Sequence, residues 1–154
     1  MLAAPKRRKE DFQMFLNALN IAGSGLSAQR LRMDVISQNL ANVDTTSDVN
    51  GQPYRRKTVT LQEITQPTFN SYLDEEQGPG GVEVSQISDD PTPLKLQYDP
   101  SNPSANAQGY VELPNVDTVT EMTDLMEASK SYNADITAFN ALKGIAATAL
   151  QIGK

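Results

Sequence analysis

The chain contains no cysteine, no histidine and no tryptophan. Without thiols it forms no disulfide and has no cysteine nucleophile. Without histidine it lacks the commonest metal ligand and the side chain that most often moves protons near neutral pH. Thiol enzymes, histidine-dependent catalysts and typical zinc proteins are therefore excluded. Aromatic residues are also scarce, with four Phe and five Tyr in 154 residues, so we expect a thin core without a deep pocket.

Long apolar runs are missing as well. No run of about 18 or more apolar residues occurs, so no transmembrane helix is predicted. The basic start, residues 6–9, is followed by Glu10 and Asp11 instead of an apolar segment, so we expect no cleaved secretory signal. Basic residues number 13 against 19 acidic ones, for a net charge of −6. The basic cluster at 55–57 is interpreted as a solvated strand edge, and nucleic-acid binding is not predicted.

What the chain does have is an apolar stripe near each end. From Phe12 to Val43, and again from Leu125 to Leu150, apolar or small residues recur mainly at alternating spacings of three and four. This pattern is typical of a long helix that lies against another helix. It predicts an assembly interface made of Leu19, Leu26, Met33, Ile36 and Leu40 in the first helix and of Leu125, Tyr132, Ile136, Phe139 and Leu150 in the second.

The stripes and the composition between them divide the chain into four segments. We expect a disordered extension at 1–13, an N-terminal helix at 14–45, a β-rich and irregular middle at 46–117 and a C-terminal helix at 118–154. Alternating runs at 58–62, 82–84 and 94–98 indicate short strands in the middle. The predicted fold class is mainly α with a small β-rich insertion, in which the two terminal helices pack as an antiparallel coiled hairpin.

Neither stripe is fully apolar, because Gln29, Ser129 and Lys143 interrupt them. A hairpin of two such helices has little core, so its ends would be marginal alone and would order on assembly. Gly23 and Gly25 would together cost about 1–2 kcal/mol relative to Ala in a helix interior. Because the apolar pattern continues across them, we favour close packing at these glycines over a kink.

Two local signals concern the helix ends. Asn42 is a candidate stop for the first helix, since Asn tolerates a left-handed C-cap. The sequence from Thr118 to Glu121 fits a capping box, in which the Thr hydroxyl and the Glu carboxylate each accept from a free amide.

Candidate catalytic and metal-binding groups are few. Asp89-Asp90 and residues 74–76 are carboxylate runs, but a general acid–base pair requires burial and convergence from separate elements. Residues 48–51 resemble a calcium loop only faintly, since acids are missing at its first and twelfth positions. We predict no enzyme activity, no metal site and no cofactor. A small hydrolase that uses Asp89 or Asp90 remains a remote alternative.

Several motifs carry a resemblance to a known family. The runs Ile21–Arg30 and Asp34–Asn42, followed by Thr45 and Thr46, resemble the signature of bacterial flagellar basal-body rod proteins. The core of that signature is Ser-x-Asn-x-Ala-Asn, here with motif positions Ser37, Asn39 and Asn42. Further blocks are similar to the proximal-rod members of the family: Pro53–Lys57, Tyr98–Pro100, Asn106–Val111, Pro114–Val116 and Thr120–Met122. The resemblance covers about residues 14–154.

The resemblance implies a structural subunit of the periplasm-spanning rod of the flagellar basal body. Its terminal helices would form the inner layer of a helical tube, and the chain would leave the cytoplasm by type III export without a cleaved signal peptide. The implied partners are copies of itself, other rod subunits, and the membrane-ring and export-gate adaptor proteins of the basal body. Asn39 and Asn42 would tie backbone where the first helix ends. Another rod or hook axial subunit, or a soluble coiled-coil adaptor, remains an alternative.

Overall fold

The computed structural model describes residues 4–47, 51–64 and 80–152, with only the backbone of helix residues 4–13, 150 and 152. The elements, in chain order, are α1 (Ala4–Ala41), β1 (Lys57–Glu63), β2 (Val82–Asp89), β3 (Lys95–Tyr98), β4 (Tyr110–Leu113) and α2 (Thr118–Ile152). β1 pairs with β2 and β3 pairs with β4, in two small antiparallel sheets. The expected mainly α class with a small β-rich insertion is therefore confirmed.

The chain forms two compact units. The first comprises Met1–Arg30, Leu61–Val84 and Lys130–Lys154, and the second comprises Leu31–Thr60 and Ser85–Ser129. Neither helix, over its described residues, carries an apolar stretch sufficient to cross a membrane.

In the first unit, small residues bring elements close to α1. The Ser24 hydroxyl donates to the Ile21 carbonyl at 2.7 Å and accepts from the Val82 amide at 3.0 Å. A Cβ added at Gly81 would lie only 2.9 Å from that hydroxyl, so the start of β2 needs a glycine beside the helix. A Cβ at Gly25 would lie 3.1 Å from an Asp135 carboxylate oxygen, whereas a Cβ at Gly23 would meet nothing within 4 Å. The close-packing interpretation thus holds for Gly25 and not for Gly23.

This difference predicts opposite effects at the two helix glycines. We expect Gly23→Ala to raise the free energy of unfolding by about 0.5–1 kcal/mol, because it removes the conformational cost of glycine and contacts nothing. We expect Gly25→Leu to lower it by about 1–3 kcal/mol, because the longer side chain collides with Asp135. Urea unfolding of both variants measures the contrast. Equal shifts in the two variants would contradict the contact at Gly25.

The second unit contains most of the buried side chains. Its apolar core consists of Val35, Ile36, Val111, Val116 and Ala128. β4, which the sequence did not predict, places Val111 in this core with 2% of its surface exposed. Gly109 precedes β4 with a φ of 82°, and a Cβ there would lie 2.9 Å from the Tyr98 ring. The β3–β4 pairing therefore depends on a glycine at this turn.

The start of α1 differs from the sequence expectation. The helix begins at Ala4, so residues 4–13 are helical and not a disordered extension. Ala, Lys, Arg and Glu dominate this segment, and these residues have high helix propensity. Pro5 lies in the first turn, where its missing amide has no helical partner in any case.

Asn42 directly follows α1, as predicted, but the capping geometry differs from the prediction at both helix ends. α1 ends at Ala41, but Asn42 does not have a positive φ. Instead, its side-chain amide donates to the Gln38 carbonyl at 2.8 Å, and its side-chain oxygen accepts from the Thr45 hydroxyl. At the start of α2 the N-cap is Asp117 and not Thr118. The Asp117 carboxylate accepts from the Thr120 amide at 2.9 Å, and this bond is the main reason that its pKa lies below the ordinary value.

Candidate assembly site

The predicted interface stripes are mostly covered within the protein. Ile36 is buried with 6% exposed. The side chain of Leu150 lies outside the described residues. The remaining stripe residues are all half-buried: Leu19, Leu26, Met33, Leu40, Leu125, Tyr132, Ile136 and Phe139. Ile36 is therefore a core residue, and the others have only part of their surface left for a neighbour.

Near its start, α2 carries three exposed apolar residues on a different face. Val119, Met122 and Met126 are 74%, 50% and 58% exposed. Spacings of three and four place them on one face of the helix. We call these three residues the α2 ridge. The ridge follows the same spacing rule as the stripe that begins at Leu125, so the sequence alone does not tell this open face from the covered one.

The β3–β4 hairpin exposes a second apolar group. Leu96 and Tyr98 are each 64% exposed and, as alternate residues of a strand, share one face. Tyr110 lies opposite Tyr98 in the sheet register, with the two ring centroids 5.2 Å apart in an edge-to-face arrangement. Tyr110 is itself 42% exposed. These side chains add apolar surface that the second unit does not cover.

The motif residue Asn39 is buried, with 1% exposed, and uses its whole hydrogen-bonding capacity. Its amide nitrogen donates to the Lys57 carbonyl at 2.9 Å and to a Glu121 carboxylate oxygen at 3.0 Å. Its oxygen accepts from the Lys57 amide and from the Tyr54 hydroxyl, each at 2.9 Å. Asn39 thus ties the end of α1 to the backbone at the start of β1. Ser37, by contrast, is exposed.

Arg56 is the centre of a charged cluster that we call the Arg56 cluster, made of Asn39, Arg56, Asp90, Glu121 and Asp124. The Arg56 Nε donates to Glu121 at 2.5 Å, and its two terminal nitrogens lie 3.3 Å from Asp90 and from Asp124. The Glu121 side chain is completely buried, whereas that of Arg56 is 22% exposed. One guanidinium therefore bridges three carboxylates, and one of these has no contact with solvent.

Burial, hydrogen bonds and neighbouring charges together shift the pKa values of Arg56, Tyr54 and Asp90. Burial disfavours the Arg56 cation, but the hydrogen bonds and charges of Glu121 and Asp90 outweigh it and raise the pKa of Arg56. Burial, together with the negative charges of Asp89 and Glu121, raises the pKa of Tyr54. The Thr92 hydroxyl and amide, followed by Arg56, lower the pKa of Asp90. A carboxyl whose pKa is lower in the folded than in the unfolded chain stabilises the fold at pH values above its unfolded pKa. This stabilisation is lost as the pH falls through the folded pKa.

The geometry of the Arg56 cluster favours a structural role. The adjoining cavity of about 160 Å³ is smaller than the usual 300–1,000 Å³ of a small-molecule site. Asp90, one of the two residues of the hydrolase alternative, is engaged by Arg56 and Thr92. Over the described parts of the chain, no group of three or more acidic side chains is arranged to hold a metal ion.

Comparison with known proteins agrees with the motifs. Residues 19–47 match the family model described as "Flagella basal body rod protein". Residues 107–152 match the model described as "Flagellar basal body rod FlgEFG protein C-terminal". These two segments contain the Asn39 motif and all of α2.

Full-length relatives extend the similarity across the β-rich middle. The flagellar basal-body rod protein FlgC of Bacillus subtilis (strain 168) is 50% identical over 147 residues, which span 90% of this chain and 97% of the relative. The FlgC proteins of Yersinia enterocolitica and Salmonella typhimurium are 44% and 43% identical, over 90% of this chain and 98% of each relative. Since the identity extends over nearly the whole length of this chain and of each relative, the chain belongs to the FlgC family of flagellar basal-body rod proteins.

Proposed function

We propose that this chain is a structural subunit of the proximal rod of the flagellar basal body and that it assembles by helix packing without catalysing a reaction. Family membership supports the location in the basal body. The observation that carries the mechanism is the exposed α2 ridge, because three large apolar side chains on one helix face are costly to leave in water. Packing against a neighbouring subunit would remove that cost.

Within a subunit, the two helices would form the antiparallel coiled hairpin. Two contacts support this arrangement. Gly25 lies beside Asp135, and Asn39 is hydrogen-bonded to Glu121. Between these contacts the chain advances 14 residues along α1 and returns 14 residues along α2. In an antiparallel helix pair, contacting residues advance along one helix by as many positions as they go back along the other.

The proposed assembly interface has two parts. The half-buried stripe residues, such as Leu26 and Ile136, would seal the hairpin and present their remaining surface to a neighbour. The α2 ridge would supply the apolar contact that the subunit itself leaves uncovered. Methionine suits such a surface because its unbranched side chain adapts to partners of different shape. A subunit that meets both identical and related neighbours would benefit from that adaptability.

The partners would be copies of this chain, other rod subunits, and the membrane-ring and export-gate adaptor proteins of the basal body. Export through the flagellar type III channel, without a cleaved signal peptide, would bring the chain to the rod. The absence of cysteine is compatible with passage of an unfolded chain, since no disulfide can form on the way. Another axial subunit of the rod and hook family, or a soluble coiled-coil adaptor, is the competing assignment.

Imaging of basal bodies from a deletion strain tests the proposal. We expect basal bodies with membrane rings but no complete rod, and we expect restoration of the rod when the intact chain is supplied in trans. A complete rod in the deletion strain would overturn the assignment. Retention of the chain in the cytoplasm of motile wild-type cells would favour the adaptor instead.

Amide exchange in a dilute monomer should separate the two units. Over the described residues of the first unit only Ala28 and Gly81 are buried, whereas the second unit contains the apolar core and the buried part of the Arg56 cluster. We therefore expect amides of residues 14–30 and 130–149 to exchange orders of magnitude faster than those of residues 31–41 and 118–129. Mass spectrometry of the monomer measures this difference. Strong and equal protection along both helices would show that residues 14–30 and 130–149 are already ordered in the monomer.

A further inference from the structure

The β3–β4 hairpin has an open backbone edge. The Asp99 amide donates to the Gly109 carbonyl at 2.9 Å, so the backbone groups of alternate residues before Asp99 also face β4. The amides and carbonyls of Leu96 and Tyr98 consequently point away from β4. Within the described residues these outward groups have no hydrogen-bond partner, and both side chains are 64% exposed. The outer edge of β3 is therefore free to bind a further strand.

The other edge of the hairpin is closed at the equivalent position. The Tyr110 amide donates to the Asn106 side chain at 3.0 Å, and the Tyr110 carbonyl accepts from the Asn106 amide at 2.8 Å. Tyr110 lies opposite Tyr98 in the register, so the loop covers β4 where β3 is left open. An exposed apolar edge is a template for pairing with another chain, which is why such edges are usually covered.

The segment from Lys95 to Asp99 is complementary to itself in the antiparallel direction. It has a cation at one end, an anion at the other and an apolar residue beside each of them. When a second copy is laid antiparallel about a two-fold axis at Gln97, Leu96 of each copy lies opposite Tyr98 of the other. Lys95 of each copy then lies opposite Asp99 of the other. Opposite charges attract across a sheet and apolar side chains pack across it, so both kinds of pair are favourable.

The backbone groups fit the same alignment. Leu96 of one copy and Tyr98 of the other are the outward-facing residues, so each amide would meet the carbonyl of the residue opposite. The charged groups also have capacity left. The Lys95 ammonium donates to a single backbone carbonyl, although an ammonium has three donors. The Asp99 carboxylate accepts from Ser101 through Oδ1, and within the described residues Oδ2 has no partner.

We propose that the outer edge of β3 pairs with the same edge of a second copy of this chain, in an antiparallel two-fold dimer centred on Gln97. The edge is short, because Pro93 and Pro100 have no amide to extend it. The dimer is therefore weak, with a dissociation constant on the order of 1 mM. A two-fold contact closes on itself and cannot be repeated along a helical tube. The pairing thus belongs to the free subunit, and it does not depend on the proposed function.

Amide NMR signals of the full chain, recorded between about 0.1 and 2 mM, test the pairing. We expect the signals of residues 95–99 to shift with concentration, with the largest shifts at Leu96 and Tyr98. Leu96→Pro removes an outward amide, and proline is tolerated on an edge strand at such a position. We therefore expect this variant to keep the β3–β4 pairing and to lose the shifts. Wild-type signals at residues 95–99 that do not change with concentration would overturn the proposal.

Two charge reversals test the alignment itself. Asp99→Lys places a lysine opposite Lys95 in the dimer, and Lys95→Glu places a glutamate opposite Asp99. We expect each variant alone to associate at least about tenfold more weakly than the wild type. In an equimolar mixture of the two variants opposite charges face each other again, so we expect association to return to nearly the wild-type strength. A mixture that associates no better than its components would overturn the two-fold alignment.

Two other modes of association are distinguished by the same measurements. Contact through the α2 ridge would persist in Leu96→Pro and in both charge variants, because none of them alters the ridge. Concentration-dependent shifts that persist in all three variants would therefore overturn pairing through β3. If residues 95–99 responded only when another purified rod subunit was added, the edge would bind a relative, and the proposal of a second copy would be wrong.

Discussion

Arg56→Ala will lower the free energy of unfolding by about 3–5 kcal/mol, because it leaves the completely buried Glu121 carboxylate without its cation. Domains of this size are typically stable by only about 5–15 kcal/mol, so the loss is a large fraction of the total. Arg56→Ala removes one charge of the pair and leaves the other behind, which costs more than replacing both charges by apolar side chains.

The neighbouring arginine provides a matched control. Arg55 is exposed, and among the described residues its guanidinium makes one long contact, of 3.5 Å, with the Thr92 carbonyl. We expect Arg55→Ala to change stability by no more than about 0.5 kcal/mol. Urea unfolding of both variants at neutral pH compares two residues of the same type, one position apart. A similar loss of unfolding free energy in Arg56→Ala and Arg55→Ala would mean that Arg56 stabilises the protein only through its positive charge and not through its contact with Glu121.

The two long helices were predictable from the sequence because their apolar period is repeated many times. The apolar period recurs over many turns of α1 and α2, so single exceptions such as Gln29 do not hide it. β4 was missed because Tyr110–Leu113 offers only Val111 and Leu113 as alternating inward residues, whereas the equally short β3 continues the alternation that begins at Leu94. The N-cap of α2 was misplaced by one position, since Asp117 and Thr118 are both good capping residues and only their backbone geometry decides between them.

The Arg56 cluster was not predictable, and the interpretation of residues 55–57 as a solvated strand edge was wrong for Arg56. The carboxylates that surround Arg56 lie 34, 65 and 68 positions away in the chain. No local pattern connects residues so distant, because their contact is created by the fold. Asn39 was singled out only through the family motif, and its four hydrogen bonds could not be read from its position on the helix.

The assembly-interface residues stay a prediction, because the sequence pattern alone could not divide them between the core and a neighbouring subunit. A periodic stripe identifies the face of a helix that is covered, but it does not say whether the cover is the same chain or a neighbour. Ile36 illustrates the ambiguity, since it fits the stripe and is nevertheless part of the core of the second unit. The α2 ridge is the complementary case, with the same spacing on a face that the subunit leaves open.

Ile36→Asp and Met126→Asp will both stop swimming, but for different physical reasons. Ile36 is 6% exposed and lines the cavity beside Glu121, so an aspartate there adds a second buried negative charge. We expect it to lower the free energy of unfolding by about 3–5 kcal/mol. Met126 is 58% exposed, so its replacement should change stability by less than about 1 kcal/mol. The introduced charge would instead block apolar contact between the ridge and the next subunit.

Motility assays combined with urea unfolding of the purified variants distinguish the two causes. Glu127→Gln, at the adjacent exposed position, is the control and should swim normally with unchanged stability. Normal swimming by Met126→Asp would remove the ridge from the assembly interface, while leaving the membership of the rod family untouched. Wild-type stability of Ile36→Asp would contradict the burial of that side chain. Ile36→Asp is expected to fail because the subunit unfolds, and Met126→Asp because subunits do not associate. A loss of swimming therefore identifies an assembly surface only where urea unfolding shows that the variant is still stable.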